Sequence, residues 1–145
     1  MCLKIDLEKH PDLMPFVAEE DILCYKRLLM FKRETDEYLC SPVYAHSWFV
    51  DDVPSMQEIV PGKTLNYLGG GEYNSIEAGY HAYMNLKPEN EIPAYGTYGS
   101  TYGYFQMVIP KGTKYFLGHD DEIVAEQMML ISAAPILENI NVFKD

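Results

Sequence analysis

Leu3, Ile5 and Leu7 alternate with Lys4 and Asp6, the period-two pattern of a strand with one buried face. The two prolines and acidic run of "KHPDLMPFVAEED" then read as a connection. In "DILCYKRLLMF" the same alternation puts Leu23, Tyr25, Arg27, Leu29 and Phe31 on one face of a strand. A helix over that stretch would align Ile22, Lys26, Leu29 and Arg33, a face half charged, so we assign a strand. "EYLCSPVYAHSWFVDDVP" reads as extended chain, broken at Ser41-Pro42 and stopped at Pro54. A Pro61-Gly62 turn, a short strand from Leu65 to Leu68 and a triple-glycine loop at 69–71 follow.

Residues 76–86 stay open between helix and strand. Ile76, Tyr80, Tyr83 and Met84 would line a helix, but Gly79 costs a helix interior about 1 kcal/mol relative to Ala and suits a turn into "YHAYMNL". "YFQMVI" (104–109) is the clearest buried strand. Pro110-Lys111-Gly112-Thr113 is a turn, with proline presetting one φ and glycine permitting a positive one. "KYFLG" returns as a strand, and 122–131 is one more strand or a short helix. With 10 glycines and 9 prolines spread along the chain, long helices have no room. The expected fold is a single α+β domain, 1–145, of mainly antiparallel strands with one or two short helices. Residues 1–20 form its N-terminal strand and connection, and 135–145 an edge element or loosely attached tail.

Composition adds limits. Hydrophobic residues at 48% are enough for a core. A net charge of −11 disfavours nucleic-acid backbones and anionic membranes. It leaves two readings open: an ordinary acidic surface, or one that occupies a basic site on another protein. The start lacks the apolar stretch of a secretory signal, and Cys2, Cys24 and Cys40 show no CxxC, so a cytoplasmic protein with free thiols is expected. Cys24 reads as a small buried hydrophobe.

The histidines, His10, His46, His81 and His119, lack metal-ligand spacing, so neither a metal nor a cofactor is expected. "HDDE" (119–122) reads as a solvated acidic turn, and "LGGGEYNS" as a hairpin or loop rather than a phosphate cradle. "GYHAY" pairs His81 with Tyr83 on one strand face, either as a polar pocket wall with His81 carrying a proton, or as a half-buried histidine bonded to a carbonyl. Arg27 shares a face with Tyr25 and needs an anionic partner if buried. "AYGTYGSTYGYF" combines stiff phenol rings with adaptable glycine and serine. It reads either as a binding loop, with Tyr95, Tyr98, Tyr102 and Tyr104 as contact surface beside His81 and Tyr83, or as an aromatic hairpin packed on itself. The binding reading takes a small molecule or a protein as ligand, and a homo-oligomer is compatible with it.

The order "CYK", "GYHAY", "VIPKGTKYFLG", "EIV" over residues 20 to 131 resembles a set of small proteins of bacteriophages and mobile elements of gut bacteria, a resemblance that implies no particular activity. "IPKGT" at 109–113 is similar to a strand and turn of ADP-ribosyltransferases. That second resemblance implies Arg27 as the early phosphate-anchoring residue, "CSPVY" as the middle strand and Glu122 or Glu126 as the catalytic glutamate. The Ser-Thr-Ser of that family is missing, and no Glu-x-Glu follows "IPKGT".

Overall fold

The computed structural model describes residues 3–32, 37–40, 47–65, 69–86 and 100–139. Among them there is no helix, so the expected α+β class is corrected to mostly β. Both ambiguous segments are extended: β8 is Tyr80–Tyr83, β11 is Glu122–Ala125 and β12 is Met129–Leu130. The reason is pairing. β11 lies antiparallel to β8, with Val124 opposite His81 and Ala125 opposite Tyr80, and β10 (Lys114–Leu117) closes its other edge. Gly79, with φ at +102°, makes the turn into β8. A Cβ there would lie 2.7 Å from Ile59 Cγ2 and 2.8 Å from Val124 Cγ2, so only glycine fits.

The spine is the pair β3 (Ile22–Lys32) and β9 (Ser100–Ile109), joined from Ile22↔Ile109 to Phe31↔Ser100. Each long strand carries two short partners in tandem on its other edge. β3 bonds β8 at Tyr25↔Tyr83 and then β4 (Glu37–Cys40) from Leu29 onward. β9 bonds β12 at Met107 and Val108, and β13 (Leu137–Asn139) at Tyr102 to Tyr104, which places the start of the expected loose tail in the sheet. β5 (Ser47–Trp48) continues from β4, and the next residues reach β12 through the parallel bridge Val50↔Leu130. Backbone pairing therefore runs full circle through β12, β9, β3, β4 and β5. Inside lie Cys24, Leu28, Trp48, Phe105, Met107, Ile109 and Leu130, all buried. Ten of the described strands belong to this sheet.

A second sheet holds β1 (Leu3–Lys4), β7 (Glu72–Ile76) and β6 (Gly62–Leu65). β6 and β7 form a hairpin around Gly69, Gly70 and Gly71, all at positive φ, so the triple glycine serves a turn. The expected strand at 65–68 begins three residues earlier, and 66–68 lie outside the described residues. Leu3, Ile5 and Ile76 pack from this sheet onto Phe116 and Val124, on the outer side of the large one. Leu7 breaks the initial alternation and is exposed, because the chain turns away after Ile5 pairs with Gly118.

His10 completes that junction. Its Nδ1–H donates to the Met14 carbonyl at 2.9 Å, and its Nε2 accepts the Leu117 backbone N–H at 2.9 Å. The imidazole replaces a missing strand carbonyl, wedged between the Phe16 and Phe116 rings. Beyond it β2 (Phe16–Val17) adds to the sheet edge next to β10. The Pro110–Thr113 turn forms as expected, with Gly112 at φ +88° and Thr113 N–H bonded to the Pro110 carbonyl. Its corners are Lys111 and Gly112, so proline precedes the corner rather than occupying it. Residues 119–122 make a two-residue hairpin turn, with Asp120 and Asp121 both at positive φ and Glu122 N–H bonded to the His119 carbonyl.

Residues 49–61 form no strand. They strap around the end of the large sheet, from Trp48 in the inner core to Ile59 in the outer one. Polar ties hold the strap. Tyr80 Oη donates to the Ser55 carbonyl at 2.7 Å, Gly79 N–H to Gln57 Oε1 at 2.9 Å and Gln57 N–H to the Glu126 carbonyl at 3.0 Å.

Candidate functional site

The register places most of the candidate residues on one surface. Strands β9, β3, β8 and β11 lie side by side, and their outward side chains form two rows. The first row is Gln106, Tyr25, Tyr83 and Glu122, fixed by the pairs Tyr25↔Gln106, Tyr25↔Tyr83 and Glu122↔Tyr83. The second is Tyr104, Arg27, His81 and Val124, from Arg27↔Tyr104 and Val124↔His81. Rows on one sheet face stand roughly 7 Å apart, which is within reach of tyrosine and arginine side chains. Gln106, Tyr25, Tyr83, Glu122, Arg27 and His81 are each partly exposed. The opposite face of the same strands carries the apolar interior.

Tyr104 corrects an expectation. At 2% exposure it is core, with Tyr83, Tyr25 and Leu29 packed around it and its ring 6.2 Å from that of Tyr83 in an edge-on contact. At that exposure it has no surface to offer a ligand. Tyr102 is on β9, but its side chain, like Tyr95 and Tyr98 altogether, lies outside the described residues. Glu126 follows β11 at the far end, roughly 13 Å along the strand from Glu122 at four residues' rise. The structure thus brings Arg27, His81, Tyr83 and Glu122 onto one face and leaves Glu126 apart. The proposed middle strand "CSPVY" is described only at Cys40.

His81 is bonded to a carbonyl rather than poised for proton transfer at neutral pH. Its Nε2–H donates to the Glu77 carbonyl at 2.9 Å. Burial pulls its pKa down to about 4, against the raising effect of that bond and with a further lowering from Lys26. The imidazole is therefore neutral at pH 7, with Nδ1 as its acceptor.

This sets a pH dependence. An unfolded imidazole takes its proton near pH 6.5, and the folded one only near 4. The neutral ring's contribution is fully present above about pH 6.5. It is lost as pH falls toward 4, by at most about 3 kcal/mol. Urea unfolding at pH 7 and pH 4.5 is expected to show a larger loss for the wild type than for His81→Gln. Equal losses would contradict the assignment.

Beneath the face is a residue whose importance the sequence did not reveal. Lys26 points into the interior with Cys24 and Leu28, and is 9% exposed. The cause is a gap in pairing. β8 meets β3 only at Tyr25, and β4 only from Leu29. In that gap Lys26 Nζ donates to the His81 carbonyl at 2.5 Å and stands 5.9 Å from the Trp48 ring centre. Burial lowers its pKa to about 8, with Cys24 opposing and Arg27 adding to the shift. Burial pushes the Cys24 thiol up to about 12, partly offset by Lys26. Cys24, wholly buried, is the inert hydrophobe that its sequence context implied. A lysine in an alternating strand ordinarily reads as an outward residue. Only the even-numbered register of Cys24 and Leu28 hints that it faces inward.

No family model, no curated protein and no solved structure matches the chain.

Proposed function

We propose that the protein is a binding module that holds a polar, ring-bearing small molecule, of the hydroxyl-rich kind typified by a sugar or nucleoside, against the Tyr25–Arg27–His81–Tyr83–Glu122 face. The observation that supports this reading is the side-by-side delivery of these residues by three adjacent strands, with Gln106 from a fourth. A solvated sheet face needs no such cluster of aromatic and hydrogen-bonding groups. Here tyrosine rings supply stiff contact area for a ring face, while the neutral His81, Gln106 and Glu122 supply acceptors for hydroxyls and Arg27 supplies donors. Tyr104 belongs to the core, and the Tyr95, Tyr98 and Tyr102 side chains lie outside the described residues, so the reading rests on the sheet face.

Native mass spectrometry of the purified protein tests the reading, followed by a thermal-shift panel of monosaccharides and nucleosides. At least one compound is expected to raise the melting temperature of the wild type and to have no effect on Tyr25→Ala or Arg27→Gln. Both variants are to be checked for an intact fold by near-ultraviolet circular dichroism. A bare mass together with a flat panel would remove the proposal.

A further inference from the structure

The strap that wraps the end of the large sheet exposes a run of apolar side chains. Over residues 47–61 only Trp48, Pro54 and Ile59 are buried. They fasten it to the two cores and turn the remaining side chains outward. Among these are Phe49, Val53, Met56 and Val60, each at least 59% exposed, with Val50 at 42%. Isolated exposed hydrophobes are ordinary, but five within residues 49–60 leave one anchored segment with a largely apolar exposed side. The bridge Val50↔Leu130 and the bond from Asp51 N–H to the Leu130 carbonyl bring Leu130 alongside, next to the exposed Ile131.

The charges that the strap itself carries are all of one sign. Residues 47–61 carry Asp51, Asp52 and Glu58, and 126–136 carry Glu126. Neither segment contains a lysine, arginine or histidine. Lys26 stands against the Trp48 ring at the root of the strap, but it is buried and turned inward. A second copy of a chain with net charge −11 would meet this strip with like charge. An anionic bilayer would do the same. The surface that complements it is apolar along its centre and basic at its margins.

We infer that the strap is a docking surface for a basic amphipathic segment of another protein, whose apolar side chains cover Phe49, Val53 and Met56 and whose lysines or arginines face Asp51, Asp52 and Glu58. Hydrophobic contact supplies the affinity, and the carboxylates select the sign of the partner and speed its approach. This surface is separate from the face proposed for small molecules, and neither depends on the other.

The chain has one tryptophan, Trp48, at the root of the strap, so its emission reports on occupancy without a label. The probe is a synthetic leucine–lysine amphipathic peptide of about three heptads, with its leucine–glutamate counterpart as control. The lysine peptide is expected to shift Trp48 emission saturably and to lose at least about tenfold in affinity on going from low to high salt. The glutamate peptide is expected to leave the emission unchanged. Asp51→Lys and Phe49→Ser should each weaken the lysine peptide about tenfold or more. Glu20→Lys, an equal change of net charge at an exposed site on the N-terminal segment, should not. Phe49 is exposed, so Phe49→Ser is expected to keep the wild-type melting temperature.

Any of these outcomes would overturn the inference: no response to the lysine peptide, equal response to both peptides, equal weakening by Glu20→Lys and Asp51→Lys, or strap-dependent self-association in sedimentation. Co-sedimentation with phosphatidylcholine vesicles, abolished by Phe49→Ser, would replace the protein partner with a lipid one and equally overturn it.

Discussion

Tyr104→Ala is expected to lower the unfolding free energy by about 4 kcal/mol, the cost of emptying a buried aromatic site. Its ring is buried at 2% exposure against Tyr83, Tyr25 and Leu29, on the central strand β9. The hole cannot be filled by collapse, because β3 on one side and β13 on the other hold the backbone of β9 in place. Urea denaturation with circular dichroism measures the effect. A change below about 0.5 kcal/mol, the usual size for a surface substitution, would return Tyr104 to the outside. Because the Tyr104 ring packs edge-on beside Tyr83 on the same face, the same substitution is expected to loosen the proposed ligand face as well as the core.

Lys26→Met is expected to act in the opposite direction, raising stability at pH 7 by about 2 kcal/mol. The ammonium has left water for a site where the His81 carbonyl and the Trp48 ring are its neighbours, and its pKa has fallen to about 8 as a result. Methionine has a similar length and no charge to desolvate, while the lost hydrogen bond to the carbonyl costs roughly 1 kcal/mol in return. The sign also gives a pH signature. The folded amine titrates near 8 and the unfolded one near 10.5, so the wild type gains stability as pH rises between those values. The advantage of Lys26→Met should therefore be greatest below pH 8 and shrink toward pH 10.5. A destabilised Lys26→Met variant, with no such convergence, would mean that the ammonium is well compensated where it lies.

How far the sequence could be read varied with the length of each element. β3 is long enough for its period-two pattern to show, and it was legible, as were the apolar 104–109 part of β9 and the glycine turn at Pro110–Thr113, whereas Ser100 to Gly103 read as loop. The four-residue strands β8 and β11 are shorter than two helical turns, so their spacing fits either structure. Edge pairing on β3, β10 and each other decided them, and a single sequence does not display pairing. The two-residue strand β2 vanished among prolines for the same reason.

At the candidate site, the alternation correctly joined Tyr25 to Arg27 and His81 to Tyr83. It had no means of placing the two pairs beside one another, since that depends on the lone β3–β8 contact at Tyr25↔Tyr83. Tyr104 was misread because its tyrosine-glycine neighbours look like a loop, whereas from Ser100 onward they continue a strand. The strap left no periodic trace, because its three anchors, Trp48, Pro54 and Ile59, follow the curve around the sheet end rather than a repeat.

The pairing of Ile22 with Ile109 and of Phe31 with Ser100 carries a consequence for biosynthesis. As the polypeptide leaves the ribosome, β3 emerges long before the strand that flanks it along its whole length. Until residue 109 is out of the exit tunnel, an eleven-residue strand bearing Leu28, Leu29, Met30 and Phe31 waits with one edge open. That interval is when a chaperone has most to offer this chain, and when a neighbouring nascent copy is the greatest hazard to it.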